Sequence, residues 1–424
     1  LKEKLLQQLK EKKLNLEETR DFLNAYLKAE VNEEDVIAFL KELASIEDVR
    51  VVKTYIEAIV TTGTTLFWPE NIRPIADKHS TGGVGDKVSL VLVPLLAAAG
   101  LRVAKLSGRA LGHTGGTIDK LESIPGINTS LSSAQFQSLV ESCGCVIAEP
   151  SQDICPVESR LYELRNRTGL IPYLPLVAAS IMSKKIATNA DVLIFDVKYG
   201  KGAFFKDIQS ARKLALLLVE LAREFEKKAA AVLTSMENPL GYAVGNALEV
   251  AEAIEFLGGT NIPGLNEVVY TLAVKVLTLI GFDEEEAHIR IDTARRSGRA
   301  LQSFVRMIAA LGGPPSLTEI KRALPRAPLV GIFISTERGY LHAIDPMLIS
   351  RACKAASGDN RRPDTGIKLY VKPGDQVRED DELAEIHAAD PEALDRAIDI
   401  LENAFLISEE KPAPVQYIYE TIEI

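Results

Sequence analysis

The stretch Asp77 to Gly126, DKHSTGGVGDKVSLVLVPLLAAAGLRVAKLSGRALGHTGGTIDKLESIPG, restricts what this chain can fold into more than any other. It sets two Gly/Ser/Thr-rich segments, His79–Asp86 and Ser107–Thr117, on either side of an apolar run. Each follows a short segment that ends in lysine plus small residues, and each leads into sequence that can start a helix. Glycine lets backbone N–H groups come close to an anion, and a helix start adds the positive end of a dipole. Ser80, Ser89, Ser107 and Thr117 can donate hydroxyl protons, while Lys78 and Lys105 supply full charge. Two such loops opening into one cleft make a pocket for a phosphate. Neither a G-x-x-x-x-G-K-[ST] loop nor a strand-linked G-x-G-x-x-G with a later ribose-binding acid is present, so ATP-loop and dinucleotide readings lose ground.

From about Pro74 onward, strand-like and helix-like segments alternate. Strands are expected at Ile75–Lys78, Val103–Leu106, Val146–Ala148, Val192–Val197 and Ala230–Leu233, with helices at Lys87–Ala99, Ser133–Ser142 and Ala211–Lys227. This order argues for an α/β domain built on a largely parallel sheet. In such sheets ligands lie outside the carboxyl ends of the strands, where both loops emerge. Residues 1–65 read as helices: Val36, Ile37, Leu40 and Leu43 recur at helical spacing, and Ser45 to Asp48 reads as a capping box. Thr61–Pro69 breaks that pattern as a linker, with Trp68 as a packed hinge residue. Residues 266–324 return to helix, and Arg290, Arg295, Arg296 and Arg299 there read as a solvated face.

The last hundred residues change character. Leu329–Ile344, Gly366–Val371 and Leu383–His387 have strand patterns, and Lys372–Asp375 (KPGD) reads as a turn. The segment VKPGDQVREDDELAEIHA resembles half of a biotinyl/lipoyl-type sandwich but lacks the modifiable lysine at a hairpin tip that a carrier domain needs. The expected fold is therefore α/β: a helical domain facing a mostly parallel mixed α/β domain across a cleft, with a C-terminal α+β domain. The expected boundaries are 1–65 (joined in space by about 160–188), 66–328 and 329–424.

With 424 residues, 46% of them hydrophobic and 25% charged, the chain can bury a large core. A formal net charge of −10 disfavours a nucleic-acid groove, so a bound phosphate must be met by local positive charge. No apolar run approaches the roughly 18–20 residues of a membrane span, and the charged start LKEKLLQQLKEKK lacks a signal-peptide core. The four cysteines, Cys143, Cys145, Cys155 and Cys353, form no C-x-x-C pair. Reduced thiols in a cytoplasmic protein are the expectation.

DKHSTGGVGDK followed by SGRALGHTGGTIDKLESIPG resembles the signature of the thymidine phosphorylase and pyrimidine-nucleoside phosphorylase family. Further matches are Tyr162–Arg165, Ala179–Lys185 (ASIMSKK), Asp196–Phe204 (DVKYGKGAF), Asn238–Val250 (NPLGYAVGNALEV) and the closing YETI. The resemblance implies phosphorolysis of pyrimidine nucleosides (uridine, thymidine, deoxyuridine) to free base and (deoxy)ribose 1-phosphate. Inorganic phosphate is then a co-substrate, and no cofactor is required. Phosphate would lie against Lys78, Ser80, Ser89, Lys105, Ser107 and Thr117. The catalytic positions would be His79, Arg165, Ser180 and Lys184, with Tyr162, Leu111 and Val177 lining the base pocket. Ser180 and Lys184 stand one helical turn apart and share a face. Lysine at position 105 goes with the broader pyrimidine type among relatives, where strict thymidine enzymes tend to carry methionine.

The resemblance also implies a homodimer through the N-terminal helices. It further implies a potassium ion held by Gly85, Lys87, Leu240, Ala243 and Glu252, although Lys87 replaces the small hydroxyl residue of relatives and its ammonium opposes a cation. Around the arginine the chain reads YELRNRTGLIPYLP. Asn166 stands where relatives carry an aspartate that can orient Arg165, and Arg167 replaces valine, adding charge beside the base pocket. Gly169 and Pro172 alter the backbone that leads to Ser180. Two other readings stay open: a phosphoribosyltransferase on the same scaffold, for which Asp77 and Asp86 are poor magnesium-binding acids, and a binding protein that has lost turnover.

Overall fold

A computed structural model describes residues 1–109, 115–358 and 362–424. Among them, the helices of the first part of the chain are α1 (Lys2–Lys10), α2 (Leu16–Leu27), α3 (Glu33–Leu43), α4 (Val49–Val60), α5 (Val88–Ala98), α6 (Thr117–Leu121), α7 (Ser133–Cys143), α8 (Pro156–Thr168), α9 (Leu174–Thr188), α10 (Ile208–Glu224) and α11 (Asn246–Leu257). The strands of the main sheet are β1 (Ile75–Ser80), β2 (Arg102–Leu106), β3 (Cys145–Ala148), β4 (Val192–Tyr199) and β5 (Lys228–Ser235). After them come β6 (Ala243–Val244), β7 (Leu329–Ile334), β8 (Gly339–Ile344), β9 (Gly366–Leu369), β10 (Gln376–Val377), β11 (Glu382–Ala388), β12 (Phe405–Ser408) and β13 (Ile418–Ile422).

The main sheet has the order β13-β5-β4-β1-β2-β3, and all pairs are parallel except β13 with β5. Each of the five expected strands is present within two residues of its expected bounds. Parallel strands are covered on both faces, so they are apolar throughout, and β1 to β5 are buried along nearly their whole length. Helix α5 (VSLVLVPLLAA) is apolar on every side and correspondingly buried from Val88 to Leu96, directly behind the first glycine loop.

The helices carrying Arg165, Ser180 and Lys184 do not belong to the sheet layer. Helix α8 starts with Pro156 at its first position and stops at Gly169, which adopts φ +71°; α9 starts beside Pro175 and stops at Asn189 at φ +53°. Both pack on the N-terminal helices, α8 against α2 and α3, α9 against α4. Two expectations change here. Asp48 is the N-cap of α4, accepting from the Arg50 N–H at 2.9 Å, while Ser45 donates back to Glu42 O at 2.8 Å, so no capping box forms. Arg295 is buried, not solvated: it donates to the carbonyls of Phe256 and Thr260 and to Asn266.

The C-terminal region holds two antiparallel sheets, ordered β10-β8-β12 and β6-β9-β11-β7. Strands cross the expected boundary at 328/329 in both directions. Strand β6 pairs with β9, and β13 returns to extend the main sheet beside β5. The region is thus sewn to the central layer at two places. Among the described residues no helix is long and apolar enough to cross a membrane.

Trp68 is packed, as its place beside Pro69 suggests. It is fully buried and donates from Nε1 to Thr188 O at 2.7 Å, while Leu66 N–H donates to Ala187 O at 2.8 Å. The linker is therefore bonded to the last turn of α9. Trp68→Phe removes one donor and strands a buried carbonyl, so it is expected to cost about 1–3 kcal/mol. The check is a lowered thermal midpoint. Because the chain has a single tryptophan, wild-type emission should also start blue-shifted and move red on unfolding.

Candidate active site

Strands β1 and β2 are neighbours and run parallel, so both glycine loops leave the same edge of the sheet side by side. Lys78, on β1, has no exposure; its Nζ lies 3.1 Å from the Asp196 carboxylate of β4 and donates to Ser89 Oγ at 3.3 Å. Ser80 donates to Asp86 at 2.5 Å and accepts the Gly82 N–H at 3.1 Å, which closes the first loop on itself. From α6, Lys120 donates to Asp86 O at 2.6 Å and pairs with Glu249 at 2.7 Å. Lys198 on β4 pairs with Asp196 at 3.0 Å and lies 3.9 Å from Asp86. Ser107 stands half-buried just past β2, and Thr117 opens α6.

Lys105 is different. It is buried, its Nζ donates to Leu106 O at 2.9 Å, and among the described residues it forms no ion pair. Among the described residues, this edge of the sheet holds the lysines 78, 105, 120, 185 and 198 against four carboxylates, Asp77, Asp86, Asp196 and Glu249. With every one of these groups charged, the set would carry one positive charge in excess, in a protein whose net charge is −10. Burial, with Lys185 and Lys78 beside it, holds the Lys105 ammonium well below its ordinary pKa, although Asp77 and Asp86 pull the other way. Burial also pulls the half-buried His79 imidazole well below its ordinary value, reinforced by lysines 185, 105, 78 and 184. Burial alone would raise the Asp86 carboxyl, but Lys198, Lys78, Lys120 and the Ser80 hydroxyl hold it far below the usual range. Lys105 is thus the lysine of this wall without a carboxylate partner among the described residues.

The opposite group is centred on Glu158. Arg165 Nη1 lies 3.5 Å from its carboxylate and Lys184 Nζ 3.8 Å away; Lys184 also donates to Ser180 O at 2.9 Å and lies 3.4 Å from Ser180 Oγ. The Arg165 guanidinium sits 5.9 Å from the Tyr162 ring centre. Two cations face one carboxylate, again leaving one positive charge. The neighbouring Lys185 pairs with Asp77 of β1 at 2.8 Å and donates to Lys78 O at 3.3 Å. It ties α9, and with it Ser180 and Lys184, to the strand that carries His79. Neither of the adjacent lysines 184 and 185 is simply solvated. Val177 lies half-buried on the same helix, whereas Leu111 and His113 fall outside the described residues.

Residues 72–301 match the Glycosyl transferase family, a/b domain, and residues 340–408 match the Pyrimidine nucleoside phosphorylase C-terminal domain. The chain is 38% identical to a thymidine phosphorylase of Agrobacterium fabrum, with 85% of each chain covered. It is also 38% identical to a pyrimidine-nucleoside phosphorylase of Geobacillus stearothermophilus, with 82% of each covered. The chain belongs to the thymidine and pyrimidine-nucleoside phosphorylase family. A crystal structure of anthranilate phosphoribosyltransferase from Thermus thermophilus shares the fold at a TM-score of 0.57 and 18% identity, covering 72% of this chain and 99% of that one.

Against the family pattern, the expected disturbance around Arg165 does not arise. Arg167 points away from the base side and pairs with Glu33 of α3 at 2.8 Å. Asn166 is exposed on the outer face of α8, so a carboxylate there is not what holds Arg165; Glu158, two turns earlier, is. Gly169 supplies the left-handed residue that ends the helix. Pattern reading gives no site role to Lys185, Lys198 or Lys120, which are buried and pair with Asp77, Asp196 and Glu249. Glu158, the expected alternative partner of Arg165, lies 3.5 Å from it.

The expected potassium ligands do come together, but around the wrong cation. Lys87 Nζ donates to Leu240 O at 2.7 Å, Ala243 O at 2.8 Å and Glu252 at 2.5 Å. Gly85 O accepts the backbone N–H of Lys87 at 2.9 Å. With the ammonium occupying the donor set, these residues do not fit a metal ion.

The electrostatics give a pH prediction. In the free protein the NMR titration of His79 should fall below that of an ordinary histidine, leaving it neutral at pH 7. Added phosphate should move the midpoint upward, because a nearby anion favours the charged form. By the same sign, phosphate binding should take up protons as Lys105 regains full charge, which calorimetry in buffers of different ionisation enthalpy would register. A free-state His79 midpoint at or above the ordinary value would contradict the arrangement.

Proposed function

We propose that this protein is a pyrimidine-nucleoside phosphorylase acting on uridine, thymidine and deoxyuridine. The observation that carries the reading is the double excess of positive charge, one on each of two walls tied together by Lys185 and Asp77. Phosphorolysis delivers two negative charges to such a cleft: the phosphate, and the pyrimidine as it leaves.

In this reading Lys78, Ser80, Ser89, Lys105, Ser107 and Thr117, with the backbone N–H groups of the first glycine loop, hold phosphate below the sugar. A phosphate oxygen attacks C1′ while the glycosidic bond breaks, through a state of oxocarbenium character. No protein nucleophile is needed. Arg165, Lys184 and Ser180 donate to the ring oxygens and favour the departing anion over the neutral base. His79, neutral at pH 7 before phosphate arrives, gives a hydrogen bond to the 2-oxo group and gains proton affinity once the dianion is bound. Tyr162 and Val177 form the apolar lining of the base site among the described residues. Residues 1–65 with 160–188 form one wall and 66–328 the other, with 329–424 beside them. The protein works in the cytoplasm as a homodimer through its N-terminal helices.

The phosphoribosyltransferase reading needs carboxylates free to carry magnesium and diphosphate. Asp77 is held by Lys185, and Asp86 by Ser80 and Lys198. The shared fold alone does not supply them.

Release of free base from uridine, thymidine, deoxyuridine and cytidine should require phosphate and yield the sugar 1-phosphate; equal release without phosphate would indicate hydrolysis and overturn the reading. Lys184→Ala should lower kcat/KM roughly 100- to 1,000-fold, since its charge acts mainly on the leaving base. Phosphate affinity, measured by calorimetry, should stay nearly unchanged. Strong residual turnover would remove Lys184 from the mechanism.

A further inference from the structure

The segment Pro239–Ala243 has every one of its backbone carbonyls engaged. Lys372 Nζ takes those of Pro239 (3.2 Å) and Gly241, Lys87 Nζ those of Leu240 (2.7 Å) and Ala243 (2.8 Å), and the Leu369 N–H that of Tyr242 (2.7 Å). Glu252 closes the cage, accepting the N–H groups of Tyr242 at 2.6 Å and Ala243 at 3.0 Å beside its bond to Lys87. Gly241, at φ +71°, leaves the space: a Cβ there would stand 2.8 Å from Lys87 Nζ and 2.6 Å from the Glu252 carboxylate. On the other side Gly85, at φ +76°, brings the phosphate loop so close that a Cβ would lie 2.7 Å from Leu240 O. Lys87 itself is fully buried and directly follows Asp86 in that loop.

We propose that the Lys87 ammonium is a covalently attached replacement for a monovalent cation, holding the Pro239–Ala243 segment against the phosphate loop and making the protein independent of potassium. Ammonium and potassium carry the same charge and have nearly equal radii, so a cage of two carbonyls and one carboxylate accepts either. The attached group cannot dissociate at low salt, and no free ion has to be immobilised to fill the cage. Lys87 is a positioning residue: its Nζ is spent on the segment and touches nothing in the cleft.

The test compares wild type, Lys87→Ala and Lys87→Thr in potassium, ammonium, lithium and choline chloride at equal ionic strength. Thermal melting is one readout, and thallium-205 NMR, with Tl⁺ as the potassium surrogate, is the other. Wild type should melt at the same temperature in potassium and choline and show no bound thallium. The variants should melt about 5 °C or more lower in choline. They should recover at least half of that loss in potassium or ammonium, not in lithium, and gain a bound-thallium signal. Specific stabilisation of wild type by potassium, or folded variants indifferent to the cation, would overturn the proposal. Should both variants fail to fold, the wild-type comparison alone decides it. Neither readout involves nucleoside cleavage, so its failure would leave the phosphorylase reading standing, and the reverse.

Discussion

The buried ion pairs on β1 decide how the two halves of the site face each other. Asp77 and Lys78 are consecutive, and their side chains go to opposite faces of the sheet, as successive strand residues must. Asp77 binds Lys185 of α9, and Lys78 binds Asp196 of β4. Pairs this deep gain little net stability, because desolvation offsets much of their attraction. Their effect is on placement. An unpaired charge at either position would cost several kcal/mol, so docking of α9 on the sheet is favourable only where Lys185 meets Asp77. That position also presents Ser180 and Lys184, on the same helix, towards the end of β1 where His79 stands.

The second constraint is the segment Pro239–Ala243. A stretch with five occupied carbonyls cannot shift without breaking bonds to the phosphate loop on one side and to the C-terminal sheets on the other. Strand β6 continues from it into the sheet containing β9, so the last region of the chain is rigidly registered to the loop that would hold phosphate. The Pyrimidine nucleoside phosphorylase C-terminal match, residues 340–408, includes Lys372 and β9, which hold that segment.

The glycine-rich segments at the ends of β1 and β2 were legible in sequence because their pattern is local. Glycines, hydroxyls and a lysine must cluster at a strand end, and strand ends are visible as switches from apolar runs to Gly/Ser/Thr. The pairing carboxylates were not legible. Asp77 meets Lys185 108 residues away, and Glu249 meets Lys120 from a different helix, separations at which residue type carries no information about contact. Arg167 misled for the opposite reason: its neighbour Arg165 is functional in pattern, but on a helix two residues apart point to different sides. Arg295 misled because a helix rich in acids also had a buried face, where an arginine serves carbonyl oxygens better than solvent does. Strands β6 and β13 escaped because short strands that cross between layers leave no pattern of their own.

The two surplus charges are unequal in what they can do for catalysis. In the proposed reaction phosphate is anionic before and after attack on the sugar, so a charge at Lys105 would bind ground and transition states to similar extents. The pyrimidine is neutral until the glycosidic bond stretches, so in the proposed reaction the surplus shared by Arg165 and Lys184 would find its partner only as bond cleavage proceeds. Interactions that strengthen on the way to the transition state raise kcat, whereas those present throughout mainly set KM. Glu158 is part of that asymmetry. It keeps two cations together in the absence of substrate, yet at 3.5 and 3.8 Å it engages them loosely, beyond good hydrogen-bond contact. A leaving base can therefore compete for their donors without first breaking a tight ion pair.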